Sequence, residues 1–109
     1  MKQQLDLGTK TLSLALPGDV LSTNVENLRQ ELNSILESQQ VKGADWSVLR
    51  LDLTAAKMVD SAGLNFIVSI IKLVKARGGS VRATVGNPNV YRTFIFTRLD
   101  KQLELAQAA

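Results

Sequence analysis

Three residues that sit close together have the types and spacing to do chemistry: Asp60, Ser61 and Gly63, within MVDSAGLNFIV at residues 58–68. A nucleophilic serine needs a base, usually His or Lys, and donors that stabilise an oxyanion. The chain has no histidine. Lys57 is near in sequence but lies in a loop, with no third group to orient it. The run DSAG also lacks the leading glycine of a G-x-S-x-G elbow. An enzyme centred on Ser61 is therefore disfavoured. Asp52 and Asp60 flank one loop and could meet as paired carboxylates, yet a strand surface and a helix cap explain them more simply. Two carboxylates signal a metal weakly. The stretches GNPNV and RGGS lack the spacing of a phosphate-binding loop. No catalytic residue, metal or cofactor is expected.

Ser61 reads better as a group that is acted upon. At a helix start its side chain points outward beside unpaired N–H groups, where a phosphate is favoured by the donors and the helix dipole. A phosphate brings about −1.5 to −2 charges. Asp60 beside it opposes that gain, so the effect on the domain itself is small. A partner pressed against the same corner would have to desolvate a dianion. Two readings stand on residue chemistry alone. In one, Asp60 or Ser61 merely caps a helix. In the other, the corner is kept small and open for another protein. Gly63 poses the same question, because Ala there would favour the helix by roughly 0.5–1 kcal/mol.

The elements that must position this corner can be read from periodicity. TLSLALPGD alternates Leu12, Leu14 and Leu16 with Thr11, Ser13 and Ala15, a strand ended by Pro17-Gly18. Leu5 and Leu7 suggest a short strand before it, with a turn near Gly8. Thr23 and Glu26 have the spacing of a capping box. Val25, Leu28, Leu32, Ile35 and Leu36 then recur as one face of an amphipathic helix. In WSVLRLDL, Leu49, Leu51 and Leu53 line one face of a central strand whose other face is only partly covered. After Ser61 the helix is apolar almost all round. Leu64, Ile67, Val68, Ile71 and Val74 make its main face, extended by Phe66, Ile70 and Leu73. Gly78-Gly79 signals its end. Val81, Ala83 and Val85 mark another strand. Asn87 and Pro88 open a last helix, in which Tyr91, Phe94 and Phe96 read as packing residues. QLEL suggests a final strand, and AQAA reads as frayed. Strand–helix–strand crossovers of this length give parallel neighbours. The expected fold is α/β, a single mixed β-sheet with helices packed on it, in one domain over residues 1–109.

The bulk properties agree. With 45% hydrophobic residues the chain can build a core, and at this size it buries roughly two-thirds of its unfolded surface without staples. The absence of Cys excludes disulfides and suits a reducing compartment. A net charge of +3, spread along the chain with no basic run, points away from direct nucleic-acid binding. MKQQLDLGTK lacks a signal-peptide core. The apolar region Leu64 to Val74 is broken by Asn65, Ser69 and Lys72 and is too short to span a bilayer. A cytoplasmic protein without membrane insertion is expected.

Taken together, VLRLDL, the loop TAAKMV, DSAGL opening an apolar helix, Gly78-Gly79 at its end, a short strand and NPNVYRTF resemble the STAS domain. This is the fold of bacterial anti-sigma factor antagonists, and the resemblance runs from about Leu5 to Leu105. It implies partner switching. The unphosphorylated antagonist binds an anti-sigma factor serine kinase and frees the sigma factor, which is thus affected indirectly. The kinase inactivates the antagonist by phosphorylating the serine after the motif's Asp, here Ser61, and a serine phosphatase resets it. The implied partner-binding residues are Asp60, Ser61, Ala62, Gly63, Asn65 and Phe66, with Ala62 and Gly63 small enough to let the kinase approach. Many members read Asp-Ser-Ser-Gly; here Ala62 leaves Ser61 as the motif's only hydroxyl. Members often carry an acidic residue three positions after the glycine ending the second strand. Counted from Gly18 that position is Leu21, which implies an unusual kinase partner or none. The alternative role is a constitutive STAS subunit of a lipid-trafficking ABC transporter.

Overall fold

The structure, a computed structural model, describes residues 1–108. Alternating leucines set the sheet. In β2 (Thr11–Ala15) and β3 (Val48–Leu53) every second residue is buried. β4 (Ser80–Val85) repeats the pattern with Val81, Ala83 and Val85. Between them run α1 (Val25–Glu37) and α2 (Ser61–Ala76). α3 (Pro88–Phe96) and a short 3-10 turn (Leu99–Lys101) lead to β5 (Glu104–Gln107). β1 (Lys2–Asp6) pairs antiparallel with β2, and the remaining neighbours are parallel, giving the order β1-β2-β3-β4-β5.

This order explains the layering. Right-handed crossovers between successive parallel strands put every helix on the same side of the sheet. Accordingly Leu12, Leu14, Leu49, Leu51, Leu53, Val81 and Val85 are buried with Phe66, Ile67, Ile70 and Phe94 in one core. The alternate residues, such as Ser13, Arg50 and Arg82, stay half-buried or exposed on the other side. The mixed sheet with helices packed on it is thus the expected architecture, and the expected open face of the central strand is present. No helix among the described residues is long and apolar enough to cross a membrane.

Four local expectations are corrected. The capping box of Thr23 and Glu26 does not form. α1 starts at Val25 with Asn24 as N-cap, and no side chain caps it. Asn24 instead folds the segment before the helix: its Oδ1 accepts the Leu21 N–H at 2.9 Å and its Nδ2 donates to the Asp19 carbonyl at 2.7 Å. The buried face of α2 is rotated from the expected one. Phe66 and Ile70 are in the core, Leu64 and Val68 are half-buried, and Leu73 is exposed. A helix apolar all round carries little rotational information in its sequence. Phe96 lies outside the core, 84% exposed, while Phe94 is fully buried. The final strand begins and ends two residues later than QLEL, so Ala106 and Gln107 pair with Thr84 and Val85; Ala109 lies outside the described residues.

The end of α2 follows the expected signal. Gly78 has φ +78°, the left-handed region that favours glycine. Its N–H donates to the Lys75 carbonyl, and the Gly79 N–H reaches back to the Val74 carbonyl, both at 2.9 Å. These are the paired bonds of a Schellman stop.

Candidate functional site

The corner at the start of α2 is built where two loops leave the C-terminal ends of β2 and β3. They are joined first through their backbones. Val20 and Val59 form a parallel bridge, in which the Val20 N–H donates to the Met58 carbonyl at 3.1 Å and the Asp60 N–H to the Val20 carbonyl at 3.2 Å.

Two carboxylates then hold the loops together. Asp60 is the N-cap of α2: its Oδ1 accepts the Gly63 N–H at 2.9 Å, and its Oδ2 accepts the Ser22 N–H from the other loop at 2.8 Å. Asp19 does the reverse. Its Oδ1 accepts the N–H groups of Lys57 and Met58 at 2.7 and 3.1 Å. Each loop therefore presents a carboxylate to the backbone of the other. Asp19 and the Ser22 backbone were not singled out by the sequence reading. The signal available was an Asp directly after the strand-ending Pro-Gly.

Gly63 is buried against this junction. A Cβ on it would stand 2.1 Å from the Val20 carbonyl oxygen and 3.0 Å from Val59 Cγ1. What its missing side chain admits is the protein's own backbone, so Gly63 is corrected from a residue that opens space for a kinase to one that packs the corner. Phe66 is corrected too. It is fully buried, with the Arg29 guanidinium 5.4 Å from its ring centroid, and presents no ring surface to a partner. Of the remaining expected residues, Ser61 and Asn65 are exposed, and Asp60 and Ala62 are half-buried. These four share one accessible corner with Met58, which is 59% exposed. Leu21, at the position where an acidic residue was sought, is half-buried. Asp52 does not join Asp60. Its Oδ1 accepts the N–H and hydroxyl of Thr54, at 2.9 and 2.6 Å. Among the described residues no cluster of acidic side chains is placed to hold a metal.

The N–H groups of Ser22 and Gly63 favour the ionised Asp60 carboxylate and hold its pKa below the ordinary value of 3.8. A lowered folded value means that Asp60 contributes its full stabilisation above the unfolded value. That contribution is lost as pH falls through the folded value. On acidification below about pH 4, the Ser22 and Gly63 amide resonances should shift together along one titration curve. In Asp60→Asn both shifts should be absent.

The family model of the STAS domain matches residues 4–108. Solved structures share the fold at low identity. A candidate anti-sigma factor antagonist of Thermotoga maritima is 19% identical with a TM-score of 0.78, covering 99% of this chain and 86% of its own. An anti-sigma factor antagonist of Mycobacterium paratuberculosis is 17% identical with a TM-score of 0.73, covering 96% and 84%. The unphosphorylated form of the anti-sigma factor antagonist SpoIIAA is 17% identical with a TM-score of 0.61, covering 99% and 88%. No protein of curated function matches the chain by sequence. The match spans nearly the whole length, and the mixed sheet, crossovers and α2 corner fall within it: the chain belongs to the STAS domain family.

Proposed function

We propose that the protein is a binding module of the anti-sigma factor antagonist kind, controlled by phosphorylation of Ser61. The observation that carries this reading is the exposed Ser61 hydroxyl on a corner whose backbone is fixed by the Asp60 and Asp19 carboxylates. A kinase can reach it without local unfolding. Family membership and the likeness in fold to anti-sigma factor antagonists support the same reading. The unphosphorylated protein binds an anti-sigma factor that is itself a serine kinase, through Asp60, Ser61, Ala62 and Asn65. The sigma factor is thereby freed without direct contact, and a serine phosphatase restores the binding form. Both Asp60 oxygens are already engaged with N–H groups, so a phosphate on Ser61 adds charge to the surface without having to break the cap. The partner then pays the desolvation of a dianion.

A second reading, a constitutive subunit of a lipid-trafficking transporter, has one observation in its favour. Leu21 and exposed Met58 make this corner more apolar than a kinase site with an acidic neighbour would be. The two separate in one experiment. The protein is incubated with ATP and a lysate of the cells that make it, and added phosphate is located by mass spectrometry. Partner affinity is then compared for unmodified protein, Ser61→Ala and Ser61→Asp. The switch predicts a single phosphate on Ser61, retained binding in Ser61→Ala, and a loss of roughly tenfold or more in Ser61→Asp, about 1.4 kcal/mol. Equal binding by all three, with no phosphate found, would leave the constitutive reading.

A further inference from the structure

Among the described residues no helix or strand covers the side of the sheet away from the helices. Directly opposed residues of paired strands share one face. One row therefore crosses all five strands: Gln4, Ser13, Arg50, Arg82 and Glu104. Two arginines stand side by side at its centre, an arrangement that like-charge repulsion disfavours. Arg82 is relieved by Glu104, with Nε 3.1 Å from Oε2. The Arg50 side chain forms no hydrogen bond or ion pair among the described residues.

Each nearby carboxylate has one oxygen engaged by its own loop, and neither forms an ion pair with Arg50. Asp6 Oδ1 accepts the N–H groups of Gly8 and Thr9 at 2.9 and 3.3 Å. Asp52 Oδ1 is held by Thr54; Arg50 lies close enough to help lower the Asp52 pKa but makes no ion pair with it. A cleft of about 320 Å³ opens over the row. Both arginines line it, with the hydroxyl residues Thr9, Thr11 and Ser13, and Asp6 is its only carboxylate. Its size falls at the lower end for small-molecule sites.

A guanidinium presents a planar fork of donors that matches the oxygens of a phosphate or carboxylate. Two adjacent forks suit a tetrahedral dianion, which offers oxygens to each; a monocarboxylate serves one fork well. We propose that Arg50 and Arg82, assisted by Ser13, form a site for the phosphate group of a small soluble ligand on the open face of the sheet. Binding there would offset the repulsion between the two arginines. It lies on a different surface from the Ser61 corner and does not depend on the role proposed for that serine.

The test is a titration of the ¹⁵N-labelled protein with sodium phosphate, and separately with glycerol 3-phosphate, followed by amide shifts. The range runs to about 50 mM at constant ionic strength, with chloride as the control. Saturable shifts should centre on Ser13, Arg50 and Arg82 and spare the residues around Ser61. Arg50→Gln should weaken binding about tenfold or more, and Arg50→Lys should fail to restore it because ammonium lacks the fork. Glu104→Gln frees Arg82 and should tighten binding severalfold. Equal affinity for the two ligands identifies free phosphate as the sufficient group; tighter binding of the ester identifies a phosphomonoester. Shifts that stay linear, are reproduced by chloride, or are unmoved by all three variants would overturn the site.

Discussion

Gly63→Ala should destabilise the protein by about 3 kcal/mol, at the upper end of overpacking costs. Helix propensity alone gives the opposite sign, a gain of about 1 kcal/mol from Gly to Ala. The structure decides between them. The added Cβ would meet the Val20 carbonyl oxygen at 2.1 Å, and that atom belongs to backbone. The same oxygen accepts the Asp60 N–H, so moving it strains the cap as well. Urea unfolding should show a lower midpoint with an unchanged slope. A midpoint equal to or above that of the parent would mean that the contact between α2 and the β2–α1 loop yields at little cost, and the account of why α2 sits as it does would fail.

The second large effect is expected at Phe66. Truncation to alanine should cost about 3–5 kcal/mol, as for other fully buried aromatic side chains. With a domain of this size losing about 4–8 °C per kcal/mol, thermal unfolding should move down by at least roughly 12 °C. The ring is fully buried, and losing it leaves a cavity beneath Arg29 and beside Ile70. Asn65→Ala is the contrasting variant. Asn65 precedes Phe66 but is exposed, so its stability should stay within about 0.5 kcal/mol of the parent, while any effect on partner binding would appear there. If Phe66→Ala unfolded at the parent's temperature and lost partner binding instead, Phe66 would return to the contact surface.

These two residues also mark where sequence reading stops. Alternation in TLSLA and VLRLDL fixed the core side of β2 and β3, because a period of two leaves no choice of face once one side is leucine. The Gly78-Gly79 stop was equally legible, since left-handed backbone and two reaching N–H groups demand that pair. The rotation of α2 was not legible. Its apolar residues nearly encircle it, and the face that ends in the core is set by how close the first turn comes to Val20. That approach joins residues about forty apart in the chain and leaves only an unexplained glycine as its trace. The Asp60 and Asp19 clamps were half visible. Capping by Asp60 is local and was one of the two caps the sequence offered, Ser61 being the other; its second bond, to Ser22, and those of Asp19 to Lys57 and Met58, span thirty-eight and thirty-nine positions and leave no periodic mark. Where the capping box was expected, Asn24 takes the N-cap position and engages its side chain with Leu21 and Asp19, a local arrangement that the Thr23 and Glu26 spacing does not reveal.

In this sheet spatial order repeats chain order from β1 to β5. Every ladder therefore joins consecutive strands, and no strand has to be threaded between two that have already met. For a largely parallel architecture this keeps loop closure short, the property that goes with faster folding. On the ribosome each strand would emerge to find its docking edge already made, so growth from the amino end can proceed without reopening earlier hydrogen bonds.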